Sequence, residues 1–143
     1  MIQKIYPRSP YQRLGGYVHL PRLIDKARLH RCGLLHGYMY KTSGFDRRLL
    51  AFLAVDGDEF EKMAIELSSD DAILAWLRTK GVSHLPAEIE AWNSAMISRQ
   101  PDSPEKVAQF QRFLVETGRG EVSEKVRTYF DLIEFDEGRF SPA

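Results

Sequence analysis

Apolar residues recur at helical spacing along nearly the whole of this 143-residue chain. Positions i, i+3, i+4 and i+7 share one face of an α-helix, so each such stretch presents an apolar stripe. A chain built from these stripes buries them by packing helix on helix.

The first helix is predicted from Pro21, a residue suited to the first helical turn, through Cys32 to a stop at Gly33. Leu20, Leu23, Ile24 and Ala27 lie on one of its faces. The second begins near Phe45 and Asp46, carries Leu49, Leu50, Phe52 and Leu53, and ends at Val55-Asp56-Gly57. The third runs from about Asp58 with Phe60, Met63, Ala64 and Leu67 inward. The fourth takes Ser68 or Ser69 as its cap and Asp70 and Asp71 in its first turn. It buries Ile73, Trp76 and Leu77 and stops at Gly81. The fifth starts at Pro86 with Ile89, Trp92 and Met96 inward, and the sixth at Ser103-Pro104-Glu105 with Val107, Phe110 and Leu114 inward, ending at Gly118. The seventh is capped by Ser123 and buries Val126, Tyr129, Phe130 and Ile133. Only Gly37 to Tyr40 reads differently, as a loop or a short extended segment near Tyr38. The expectation is an all-α fold: a compact single domain, residues 1–143, of six or seven helices with short connections.

A hydrophobic fraction of 43% with 28% charged residues is ordinary for a globular chain and excludes disorder throughout. A chain this long buries roughly 68–70% of its unfolded surface, enough for a true core. One cysteine, Cys32, allows neither an internal disulfide nor a Cys-rich zinc site, and a lone thiol suits a reducing compartment. The longest apolar run, Leu49 to Val55, has seven residues, against roughly twenty for a membrane-spanning helix. No apolar core of signal-peptide length opens the chain, so a cytosolic location is expected, with no membrane partner.

Twenty Lys and Arg balance twenty Asp and Glu, which rules out a protein basic from end to end. The balance conceals a division. Residues 1–50 carry ten Lys or Arg and only two acids, Asp25 and Asp46, while residues 51–143 carry ten bases and eighteen acids. Either the basic third packs beside acidic helices of the same chain, or it forms an anion site. Arg22, Lys26 and His30 stand at i, i+4 and i+8 on one 80° stripe of the first helix, beside its apolar face. Such a stripe can hold phosphate or carboxylate oxygens through charge-assisted hydrogen bonds, with Arg47 and Arg48 adding to it. Five of the six tyrosines, Tyr6, Tyr11, Tyr17, Tyr38 and Tyr40, fall in the same third. Tyrosines among bases can stack on single-stranded nucleic acid or fill a small core with their hydroxyls at its rim. No RNA-binding or helix-turn-helix signature accompanies them, which disfavours nucleic acid.

Other constellations have simpler readings. His19 and His30 could approach Asp25 as metal-type ligands, but no His pair stands at i, i+4 and the surrounding cations oppose a metal. No metal or cofactor is assigned, and His19 reads as a hydrogen-bonding residue at a helix start. Cys32 sits at a helix C-terminus, where the dipole disfavours a thiolate, and reads as a partly buried small residue. Asp56-Gly57-Asp58 reads as a turn and an N-cap, not a calcium loop, because its glycine is misplaced. Leu14-Gly15-Gly16-Tyr17 lacks the lysine of a phosphate loop and reads as a backbone bend.

Three stretches, Arg8-Ser9-Pro10, Leu14 to Arg28 (LGGYVHLPRLIDKAR) and Asp46-Arg47-Arg48-Leu49-Leu50, with a weaker tail from Tyr129 to Arg139, resemble a bacterial domain-of-unknown-function family, DUF5069. The resemblance implies a bacterial cytosolic protein and carries over no activity, substrate or catalytic residue.

The function expected from the residues is a binding or interaction module that uses the basic, Tyr-rich N-terminal region. One alternative is a small enzyme or binder of an anionic metabolite using Tyr17, His19, Arg22, Lys26, His30, Arg47 and Arg48. In that version Arg22, Lys26 and Arg47 hold the anion and His19 or His30 exchanges protons. The other alternative is a homodimer that sets a basic face against an acidic one.

Overall fold

Side-chain caps open four of the helices in the computed structural model, which describes residues 5–35, 37–38, 40–42, 44–80, 83–118 and 124–140. Among these residues the elements are β1 (Arg13–Leu14), β2 (Tyr17–Val18), α1 (Leu20–Arg31), α2 (Gly44–Leu53), α3 (Gly57–Glu66), α4 (Asp70–Lys80), α5 (Pro86–Ile97), α6 (Pro104–Thr117) and α7 (Tyr129–Asp136). The fold is therefore mostly helical, with one two-stranded antiparallel sheet pairing Arg13 with Val18 and Leu14 with Tyr17. Among the described residues the extended pair lies here, and Tyr38 belongs to neither strand.

Caps explain where the helices start. The Asp56 side chain accepts from the Glu59 amide, Ser69 from Ala72, Ser103 from Lys106 and Thr128 from Asp131. Each bond satisfies an amide that the helix itself leaves open. Asp56-Gly57-Asp58 is thus a turn and a cap, and Ser69 is the cap of α4. At the other end of α6, Gly118 closes the helix at φ 64°, a left-handed conformation that glycine adopts without a Cβ clash. Ser123 and Gly81, expected as a cap and a stop, lie outside the described residues. Thr128 opens α7, and Val126 is buried just ahead of it.

The chain divides into two compact units, Met1–Ala91 and Trp92–Ala143. In the first unit the core is Val18, Leu20, Leu23, Ile24 and Ala27 with Leu49, Leu50, Leu53, Phe60, Ala64, Ile73, Leu74 and Leu77, and α1 packs along α3. Gly15 and Gly16 make the β1–β2 turn at φ 60° and 88°, the bend expected of the glycine pair. A Cβ on Gly15 would come within 2.6 Å of the Leu74 side chain, so the turn sits directly on α4. In the second unit Phe110, Leu114, Val126 and Phe135 form the core, with Tyr129, Leu132 and Phe140 packed against it.

Some burial expectations hold only in part or not at all. Val107 is 45% exposed, because the buried stripe of α6 narrows to Phe110 and Leu114. Trp76 and Trp92 are only partly covered, and Leu74 takes the inward place on α4. Cys32 is exposed at the end of α1, not partly buried within it.

Candidate functional site

The three stretches that carry the family resemblance meet in one polar network of the first unit. The Arg8 guanidinium forks between two carboxylates. Its Nε and Nη2 donate to Asp25 on α1, and its Nη1 and Nη2 donate to Asp70 at the start of α4. The Arg8 amide adds a third bond to Asp25 at 2.8 Å, and the Arg8 carbonyl accepts from Arg22 Nη1 at 3.1 Å. The N-terminal arm is thereby tied to two helices through one side chain.

Asp46, in the first turn of α2, is the second centre. Its Oδ1 lies 2.6 Å from His19 Nε2 and 3.2 Å from Lys26 Nζ, and its Oδ2 accepts from the Lys41 amide at 3.1 Å. Exposure of His19, Arg22, Lys26 and Asp46 is 1%, 2%, 7% and 1%, so this is a buried cluster of charge. Burial pushes Asp46 up, but the bonds from His19, Lys26 and the Lys41 amide outweigh it and hold the carboxyl below its ordinary range. Burial also depresses His19, against the pull of Asp46. The neutral imidazole then donates from Nε2 to an ionised Asp46. The Tyr38 ring covers the pair of cations, with its centroid 5.6 Å from Arg22 Cζ and 5.9 Å from Lys26 Nζ.

Position 19 also carries backbone strain. His19 is the residue before α1 and has φ 71°, unusual for a side chain with a Cβ. Its amide donates to the Pro10 carbonyl at 2.9 Å, and its carbonyl accepts from Leu23. The ring bond to Asp46 and these two backbone bonds together hold the turn from β2 into α1.

Tyr17 belongs elsewhere. Its hydroxyl is 2.9 Å from His84 Nδ1, and the His84 ring stacks on Phe52 at 3.8 Å between centroids. Tyr17 and His84 line a cleft of about 230 Å³, together with Gly15, Leu53, Leu74, Leu77, Arg78, Ser83 and Ile89. Leu53, Leu74, Leu77 and Ile89 make the aliphatic part of the lining, and Tyr17, Arg78, Ser83 and His84 the polar part. Burial raises the Tyr17 phenol and the nearby Arg78 charge works against that rise, which places a cation within electrostatic reach of the hydroxyl.

The remaining expected residues separate. His30 turns to Glu61 on α3, with Nδ1 2.6 Å from Oε1. Arg47 and Arg48 are exposed on α2, and their side chains make no hydrogen bond or ion pair among the described residues. Asp25 meets Arg8 and neither histidine. The structure therefore joins His19, Arg22 and Lys26, and separates them from Tyr17, His30, Arg47 and Arg48. Much of the basic third finds its acids within its own unit: Arg8 with Asp70, Arg13 with Glu90, His30 with Glu61 and Lys41 with Asp58. Among the described residues no three of His, Cys, Asp and Glu come together as metal ligands would.

Sequence reasoning missed His84, Arg78, Ser83 and Phe52 as neighbours of Tyr17. No spacing signal links residues on β2, α2, α4 and the approach to α5. It also read Asp46 as a helix-start residue and one of two acids in the basic third, although so few acids among ten bases are a signal for a buried hub.

These features define a small, mostly helical protein whose first unit combines a buried ion-pair network with a cleft of mixed polar and aliphatic lining. The chain belongs to the family described as a domain of unknown function, DUF5069, which it matches over residues 4–139. No curated protein matches it. Among the described residues no helix is long and apolar enough to cross a membrane.

Proposed function

We propose that the first unit is a cytosolic binding module for a small amphipathic anion, seated in the Tyr17 cleft. The observation that carries this reading is the cleft of about 230 Å³ whose lining combines Tyr17, Ser83, His84 and Arg78 with Leu53, Leu74, Leu77 and Ile89. Ligand sites combine an apolar lining with a few convergent polar groups, and this cleft has both at the scale of a fragment-sized ligand. Arg78 supplies a fixed positive charge for a carboxylate or phosphate, and the aliphatic lining takes the ligand's apolar part.

The buried cluster around Asp46 serves this reading as scaffold. Its cations are covered and engaged within the chain, and it fixes β2 and α1 so that Tyr17 faces the cleft. A thermal-shift screen of carboxylated and phosphorylated metabolites tests the proposal. Free ligand at a hundred times its Kd adds about 2.7 kcal/mol of stability, well within detection. A hit should lose at least tenfold in affinity in Arg78→Ala. A hit that binds Arg78→Ala and Tyr17→Phe as well as the natural chain places the ligand elsewhere and overturns the proposal.

A further inference from the structure

A second polar cluster, at the end of α1, is not used by the cleft. His30 Nδ1 lies 2.6 Å from Glu61 Oε1, and the Tyr40 hydroxyl donates to the same oxygen at 2.8 Å. The Lys41 ammonium stands 3.9 Å from Glu61 Oε2, anchored to Asp58 at 2.6 Å. Partial burial pushes the Glu61 carboxyl up, but the bonds from Tyr40 and His30 and the charge of Lys41 bring it below its ordinary value. Glu61 is therefore ionised at neutral pH and can only accept hydrogen bonds.

That fixes the neutral imidazole. Its proton sits on Nδ1, facing Glu61, and its lone pair sits on Nε2. The Tyr40 ring flanks it at 4.9 Å between centroids, which restricts rotation away from Glu61. The His30 side chain is 51% exposed, and Nε2, on the far side of the ring from Glu61, faces no hydrogen-bond partner among the described residues. A carboxylate-oriented imidazole with an open, basic Nε2 is the arrangement of a nucleophile or general base.

We propose that His30 Nε2 is a nucleophile that accepts a phosphoryl group from a small nitrogen- or acyl-linked phosphoryl donor, with Glu61 as its positioning residue. With phosphoramidate as donor, the Nε2 lone pair attacks phosphorus and an N–P bond forms. The donor's own P–N bond breaks, and ammonia leaves with that electron pair. The proton on Nδ1 stays in place, hydrogen-bonded to Glu61, so the product is a phosphorylated imidazolium paired with a carboxylate. Phosphoryl transfer passes through a loose transition state and depends mainly on position and nearby positive charge. Glu61 supplies the position by holding Nδ1, which turns Nε2 outward.

The test treats the full chain with potassium phosphoramidate near neutral pH and follows phosphohistidine by phosphorus NMR and peptide mapping. His30 should label at least tenfold faster than His84, which is engaged with Tyr17. Glu61→Gln should slow labelling of His30 at least tenfold. Nitrogen NMR of the unmodified natural chain, recorded well above the histidine titration, should show His30 with its proton on Nδ1. This last measurement stands even if the Glu61 variant fails to fold. Equal labelling of His30 and His84, an unchanged rate in Glu61→Gln, or a proton on Nε2 would each reduce His30–Glu61 to an ordinary surface ion pair and overturn the proposal.

Discussion

His19 Nε2 and Asp46 Oδ1 meet at 2.6 Å with both side chains 1% exposed. The same carboxylate holds Lys26, so three groups share one buried charge balance. Removing one partner of a buried pair leaves the other charged and dry, which costs about 3–5 kcal/mol. Asp46→Ala should lose stability on that scale in urea unfolding. Arg47→Ala and Arg48→Ala, on the exposed side of the same helix, should stay within about 0.5 kcal/mol of the natural chain. A loss under about 1 kcal/mol for Asp46→Ala would show that the network holds nothing together.

The same pair predicts how stability responds to acid. His19 is depressed in the folded chain, so the folded state binds fewer protons than the unfolded state. Its contribution is fully present above the ordinary histidine value of about 6.5 and is lost as pH falls below it. Asp46 is also depressed, so its contribution is present above the ordinary carboxylate range and fades as pH falls through the lower folded value. Stability should therefore begin to decline on the acid side of about 6.5, before ordinary carboxylates titrate. His19→Asn keeps a residue type that tolerates positive φ and removes the imidazole. Its unfolding midpoint should be flat between about pH 6.5 and 5, where the natural chain slopes. Identical slopes would assign the decline to another group.

Backbone strain gives opposite signs at two positions. Ala54 follows α2 at φ 57°, where its Cβ is crowded. Ala54→Gly should leave stability unchanged or raise it by up to about 1 kcal/mol, as strain relief is set against the greater freedom of the unfolded glycine. Gly118 caps α6 at φ 64°, and Gly118→Ala should cost about 1 kcal/mol or more. Thermal unfolding of both variants decides the matter, and a stabilising Gly118→Ala would contradict the left-handed cap.

In the second unit, Thr128 accepts from the Asp131 amide at the start of α7. Thr128→Ala should cost about 1 kcal/mol, and Thr128→Ser should recover most of it because the hydroxyl is kept. A Thr128→Ser variant as unstable as Thr128→Ala would assign the loss to the methyl group.

The helices were legible because their ends are chemically marked. Pro21, Asp56, Ser69 and Ser103 open helices, and Gly118 closes one. Depth within a helix was less so: period alone gives Val107 the same inward rank as Phe110 and Leu114, yet nothing in the local sequence says how wide the covered stripe is. The hairpin escaped notice because two residues per strand leave no alternation to count. The charge division was plain in the sequence, and the Arg22–Lys26 stripe is real, but periodicity cannot show that Tyr38 covers it and Asp46 lies beneath it. Tyr17 and His84 are 67 residues apart, and only the packing of α2 and α4 against the hairpin joins them.

Cys32, the chain's single cysteine, is exposed two residues beyond His30. It gives the protein a built-in attachment point for one fluorophore, with no engineering of the sequence. A dye placed there would sit beside the His30–Glu61 cluster, and its emission could follow a change of charge at that cluster in real time while the cleft at the hairpin is left untouched.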